Sequence, residues 1–141
     1  MEEYMLMAIN EAKKAYKKGD VPVGTVIVYK NKVIAKTHNI KEKENNAIKH
    51  AELIAIEKAC KKLKTWHLEE CTLYTTLEPC LMCTGAIVQS RINTIYYAAD
   101  NPNFGELSYL RKYNKQVNIY KGLLEKESRE LLKKFFKEKR K

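Results

Sequence analysis

The sequence predicts an α/β layered fold in one domain, built on a mixed sheet of five strands. Segments with apolar residues at helical spacing alternate with short runs rich in Val, Ile, Thr and Tyr, a pattern that favours helices layered on a sheet. The first two runs are separated by Lys30-Asn31 alone, which reads as a tight turn, so this pair is an antiparallel hairpin and the sheet is mixed. At 141 residues the chain is the size of one ordinary domain, and 45% hydrophobic residues suffice for a core.

Each element follows from its residues. Glu3 to Lys18 carries Met5, Ala8, Ile9, Ala12, Ala15 and Tyr16 at the spacing of one helix face. Gly19-Asp20 stops that helix and Pro22 keeps it stopped. Val23 to Tyr29 reads as a strand, Lys32 to His38 as its returning partner, and polar Asn39 to Lys49 as a surface loop. His50 to Leu63 has a buried stripe of Ala51, Ile54, Ala55, Ala59 and Leu63, and is helical. Thr72 to Thr76 is a short β-branched strand ended by Glu78-Pro79, and proline at a first helical position suits a helix opening at Cys80. Asn93 to Ala98 and Val117 to Tyr120 supply two more strands, and Glu125 to Lys139 a closing amphipathic helix. No internal repeat or low-complexity linker divides residues 1–141.

Composition narrows the partners. Net charge is +10, from 27 basic and 17 acidic residues, which fits either a lysine-rich soluble surface or a surface for a polyanion such as RNA. No apolar run approaches the roughly 20 residues that span a bilayer. The acidic, then amphipathic N-terminus is unlike a secretory signal, so a cytoplasmic location is expected. A chain of this size in a reducing compartment needs no disulfides. The close pair Cys80 and Cys83 therefore points to metal or catalysis, whereas Cys60 and Cys71 lie in apolar stretches and read as buried thiols.

The chemistry concentrates in His50-Ala51-Glu52 and Pro79-Cys80-Leu81-Met82-Cys83. Imidazole and thiolate favour zinc, which takes four ligands tetrahedrally. Cys80 and Cys83, three apart at a helix start, can turn both sulfurs to one side, and the positive end of the helix favours their thiolates. His50 supplies a third ligand, and the fourth position is left to water, as in a catalytic site; a structural site would need Cys60 or Cys71 as well. Two thiolates cancel the charge of Zn²⁺, so the water is acidified less than in a three-histidine site and a neighbouring base becomes useful. Glu52 fits that task if its side chain bends back toward the metal, since residues two apart do not share a helix face. Taken singly, a histidine at a helix start is more often a cap, a lone CxxC is weak, and a helical glutamate is usually solvated. The combination is what carries weight.

His-x-Glu followed by Pro-Cys-x-x-Cys is the pattern of zinc-dependent deaminases. Beyond it, the chain resembles the bacterial tRNA adenosine deaminases almost from end to end. The resemblance is carried by Asp20-Val21-Pro22-Val23-Gly24, Thr37-His38-Asn39, Thr72 to Ala86, Ser90-Arg91-Ile92 and Phe135-Phe136. It implies a three-layer α/β/α cytidine-deaminase-like fold, one zinc ion per chain and a homodimer. The reaction it implies is hydrolytic conversion of adenosine 34 of a tRNA anticodon loop to inosine, by a zinc-activated water with Glu52 as proton shuttle. It also places Asn39, Ala51 and Leu77 at the target nucleoside, and Phe136, Lys139 and Arg140 on the RNA. Two segments depart from the family pattern: Asn46-Ala47-Ile48-Lys49 stands for Asp-Pro-Thr-Ala, and Asn101 to Leu110 lacks the usual Lys and Gly-Ser segment, the loop after it being shortened.

Two alternatives share part of these residues. A free-base or nucleoside deaminase of guanine or cytosine type would use the same zinc site without needing a basic tail. A catalytically idle zinc module would have no use for Glu52. A metal-free RNA-binding protein is disfavoured because no RRM or KH pattern is present.

Overall fold

The structure, a computed structural model, describes residues 1–139. Helix α1, Glu2–Lys17, forms where Met5, Ala8, Ile9, Ala12 and Ala15 fall on one buried face; Glu2 and Glu3 open it and Lys14 and Lys17 close it. Those charges suit the two ends of the helix dipole. Strands β1, Gly24–Tyr29, and β2, Lys32–His38, pair antiparallel. Lys30 (φ 49°) and Asn31 (φ 64°) between them are both left-handed, the turn whose twist matches that of paired strands. Gly24 admits no side chain, since a Cβ there would collide with the Ala8 carbonyl and the Ala12 backbone nitrogen. Helix α1 thus lies backbone-close on β1.

The segment expected as loop, Asn39 to Lys49, holds a one-turn helix, α2, Lys41–Glu44. The Asp20 carboxylate accepts the Glu42 N–H at 2.8 Å, and Asn45, left-handed at φ 49°, ends the turn. Helix α3, Ala51–Leu63, follows, then β3, Cys71–Leu77, α4, Leu81–Ser90, and β4, Thr94–Ala99. Between β4 and the last strand, a 3-10 turn at Leu107–Tyr109 and a short helix α5, Leu110–Tyr113, bury Leu107 and Leu110. Strand β5, Asn118–Lys121, and helix α6, Glu125–Lys139, complete the described chain. Strand ends differ from the sequence expectation by a residue or two, because ladder partners and not side-chain type set them.

The sheet has five strands in the order β2-β1-β3-β4-β5. Strand β3 pairs antiparallel with β1 and parallel with β4, and β5 adds parallel to β4, so the mixed sheet implied by the hairpin is present. Successive residues of each strand face opposite layers. Ile27, Leu73 and Ile95 pack against Ala55 and Ala59 of α3 and Ile87 of α4. On the other side Val26, Val28, Tyr74 and Ala98 pack against Met5 and Ala8 of α1, and α6 joins that layer as Phe135 meets Tyr16 edge-on at 6.3 Å. This is the three-layer α/β/α fold.

Strand β2 lies at a sheet edge, yet it is tied down. His38 Nδ1 donates to the buried Glu11 of α1 at 2.9 Å, and Lys14 Nζ reaches the same carboxylate at 2.7 Å. Burial opposes the Glu11 charge, but the bonds from His38 and Lys14 hold it below the ordinary carboxylate range. Among the described residues no helix is long and apolar enough to cross a membrane.

Candidate active site

The starts of α3 and α4 meet at one cluster. His50 is the N-cap of α3, with extended backbone (φ −80°, ψ 146°). Cys80 is the N-cap of α4 (φ −74°, ψ 178°), and Leu81 is the first helical residue. The expectation that the helix opens at Cys80, with Pro79 as its first residue, is therefore corrected. Cys80 keeps a non-helical backbone while its carbonyl accepts the Thr84 N–H at 2.8 Å, as an N-cap does. The correction helps the site, because N-cap and third-residue side chains approach each other at a helix start, and those residues are Cys80 and Cys83.

The ligand atoms converge. His50 Nδ1 lies 3.7 Å from Cys80 Sγ and 3.6 Å from Cys83 Sγ, and the three ligand atoms lie within 4.8 Å of one another. A tetrahedral zinc bound at about 2.3 Å to sulfur and about 2.0 Å to nitrogen separates N from S by about 3.5 Å, so the residues fit the ion. Their electrostatics fit as well. The Cys83 thiol, with the His50 ring and the Cys83 backbone N–H, brings the Cys80 thiol down to about 4 against the effect of burial. The same pairing and burial push Cys83 up, and Cys80 draws His50 up. Three ligands converging in this way give up their protons when a cation binds.

Glu52 is buried beside this cluster, and its carboxyl reaches Cys83; burial pushes it up to about 7. Asn39, also buried, accepts the Ala51 N–H on Oδ1 at 2.8 Å, and the Thr37 hydroxyl donates to the Ala51 carbonyl at 2.7 Å. Ala51 is fully buried with both backbone groups engaged. Leu77 ends β3, opposite Ala99, three residues before Cys80. The cluster therefore gathers His50, Ala51, Glu52, Asn39, Cys80 and Cys83. The tail stands apart: Phe136 is exposed, Phe135 is buried, and Lys139 Nζ sits 5.6 Å from the Phe135 ring centre. Arg140 lies outside the described residues.

The segment after Asp100 is part of the site's wall. Gly105 pairs with Cys80 in an antiparallel bridge, Glu106 N–H donates to the Pro79 carbonyl at 3.0 Å, and Asn101 N–H donates to Glu78 Oε1 at 3.2 Å. A Cβ at Gly105 would strike the Glu78 carboxyl and lie 2.6 Å from the Asn101 carbonyl. Glu78, Gly105 and Thr37 were missed in the sequence. Only Thr37 left a signal there, two residues from Asn39 and so on the same strand face. Of the other cysteines, Cys71 is buried as expected, but Cys60 is only partly so.

The sequence matches the MafB19-like deaminase family over residues 1–140. It is 46% identical to a tRNA-specific adenosine deaminase of Bacillus subtilis, over 99% of this chain and 91% of that protein. The fold superposes with a TM-score of 0.88 on a structure solved in a study of A-to-I editing by tRNA:A34 deaminases; identity is 36%, covering 94% of this chain and all of that one. A solved guanine deaminase of Bacillus subtilis matches at a TM-score of 0.68, with 36% identity over 79% of this chain and 74% of that one.

Proposed function

The chain belongs to the MafB19-like deaminase family and to the tRNA-specific adenosine deaminases, and on that premise we propose that it converts adenosine 34, the wobble nucleotide of a tRNA anticodon loop, to inosine. The observation that carries the reading is a His/Cys/Cys cluster of tetrahedral dimensions with a buried carboxyl, Glu52, beside it. His50, Cys80 and Cys83 would hold one zinc per chain, and the ion would supply Lewis acidity to the attacking water. Glu52 takes a proton from the attacking water and passes it toward the departing amine. At C6 one C–O bond forms and one C–N bond breaks; adenosine and water become inosine and ammonia, with no change in oxidation state. The Ala51 N–H occupies Asn39 Oδ1, so the Asn39 amide N–H groups are the ones turned to the base, and Ala51 serves the nucleoside by fixing Asn39. Leu77 lies on the approach to Cys80.

The base must leave its stack to reach the cluster. Ile48, Leu81 and Phe104 are exposed beside the ligand-bearing turns, and such side chains suit the unstacked bases of a loop. The net charge of +10 suits the phosphates, and the exposed Phe136 with Lys139 offers an aromatic face and a cation to the RNA; the resemblance assigns Arg140 the same role. The active form is a homodimer, since one chain of 16.4 kDa offers little RNA-binding surface beside its site. Light scattering at micromolar protein checks this, and an active monomer contradicts it. The compartment is that of the tRNA, the cytoplasm.

The test is inosine mapping in an anticodon stem-loop with adenosine at position 34. Inosine forms there, and its rate at subsaturating RNA falls steeply between low and physiological salt, because phosphate contacts release counterions. A second reading, guanine deamination, is favoured by the Bacillus guanine deaminase match. It takes over if the stem-loop stays unchanged while free guanine is consumed at a salt-independent rate.

A further inference from the structure

We propose that Thr37 is a positioning residue of this site, setting the angle at which His50 and Glu52 face each other. The inference rests on the reading of His50 as a metal ligand and Glu52 as the proton carrier.

The geometry behind it is local. Residues advance about 100° each around a helix, so side chains two apart point to nearly opposite sides. His50 and Glu52 share one site only because residue 50 is extended and residue 51 begins the helix. Their mutual orientation then depends on the two peptide groups that flank Ala51. The peptide joining His50 to Ala51 donates its N–H to Asn39 Oδ1 at 2.8 Å. The peptide joining Ala51 to Glu52 accepts the Thr37 hydroxyl on its carbonyl at 2.7 Å. Each peptide group is planar and rigid, so anchoring both restricts the only two soft torsions between them, φ and ψ of Ala51.

The anchors are themselves fixed. Thr37 and Asn39 project from one face of the β2 segment, two residues apart, and both are buried. Thr37 is paired with Thr25 in the ladder to β1. Between them, His38 projects to the opposite side and bonds Glu11 of α1. Since the Thr37 hydroxyl bond is buried, water does not replace it when the hydroxyl is removed. Valine has nearly the shape of threonine and suits a strand, so Thr37→Val deletes the anchor and little else.

The experiment compares full-length wild type, Thr37→Val and Thr37→Ser, each loaded with either zinc or cobalt(II). The cobalt proteins are read by visible absorption, which responds to ligand angles. The zinc proteins are read by kcat and KM on the anticodon stem-loop and by far-UV circular dichroism. Thr37→Val is expected to fold, to bind one cobalt per chain with an altered spectrum, and to lose about 10- to 100-fold in kcat with KM within about twofold. Thr37→Ser restores both spectrum and kcat. A Thr37→Val protein with wild-type spectrum and kcat overturns the proposal. If Thr37→Val does not fold, Thr37→Ala and Thr37→Ser replace it: an active serine variant beside a slow alanine variant supports the anchor, and equal rates overturn it. If wild type makes no inosine, the functional reading fails, while the cobalt spectra still decide whether Thr37 orients the ligand set.

Discussion

Glu52→Gln slows inosine formation by about 10²–10⁴-fold, the range removed with a general acid–base group, or about 3–5 kcal/mol of barrier. Zinc content and circular dichroism stay at the wild-type level. The expectation follows from position. Glu52 is one peptide beyond Ala51 and buried against Cys83, yet it is not one of the three converging ligand atoms. Glutamine keeps the size and the hydrogen-bonding reach and removes only the capacity to carry a proton. Single-turnover kinetics with elemental analysis of the same sample checks this. A variant within tenfold of wild type, still holding zinc, removes Glu52 from the proton path.

Cys83→Ser goes further, because it removes the cation along with the chemistry. Cys83 is fully buried and stands 3.6 Å from His50 Nδ1, and a serine hydroxyl is a poor zinc ligand at neutral pH. Zinc falls well below one per chain, and activity falls by more than about 10³-fold, because several kcal/mol of charge stabilisation leave with the Lewis acid. The variant also melts at a lower temperature than zinc-loaded wild type, since an ion that binds only the folded chain stabilises it. Cys71→Ala is the control: Cys71 starts β3 among core residues and its thiol is pushed up to about 11 by burial, so zinc and activity are retained there. Full zinc content in Cys83→Ser would mean that the ligand set is wrong.

What the sequence made legible is what local periodicity and ligand chemistry determine. The stripe from Met5 to Ala15, the runs of Val, Ile and Thr in β1 and β3, and the Lys30-Asn31 turn each carry their conformation within a few residues. The ligands were legible because imidazole and paired thiolates are scarce and their spacing is short. The one-residue error at Cys80 arose because a cap and a first helical residue differ in backbone torsions and not in residue type. Helices α2 and α5 were invisible because four residues are too few to show a period. The Thr37 bond to Ala51 joins two elements through space, and no local rule reports such a contact. In the tail, consecutive helical positions differ by about 100°, so Phe135 is buried while Phe136 is exposed, which the pair of letters alone does not reveal.

The strand order imposes a sequence of assembly on the growing chain. Helix α1 and the β1–β2 hairpin form from neighbouring residues, but β1 gains its second partner only when β3 arrives. Thr25 then meets Thr75, 50 positions further along. Closing so long a loop loses chain entropy before any pairing compensates it, and such distant contacts are the slow ones in folding. His50 is made before β3, and Cys80 and Cys83 after it. His50 and Cys80 stand 30 positions apart with the central strand between them, so closing the ligand set is itself a long-range step of the fold.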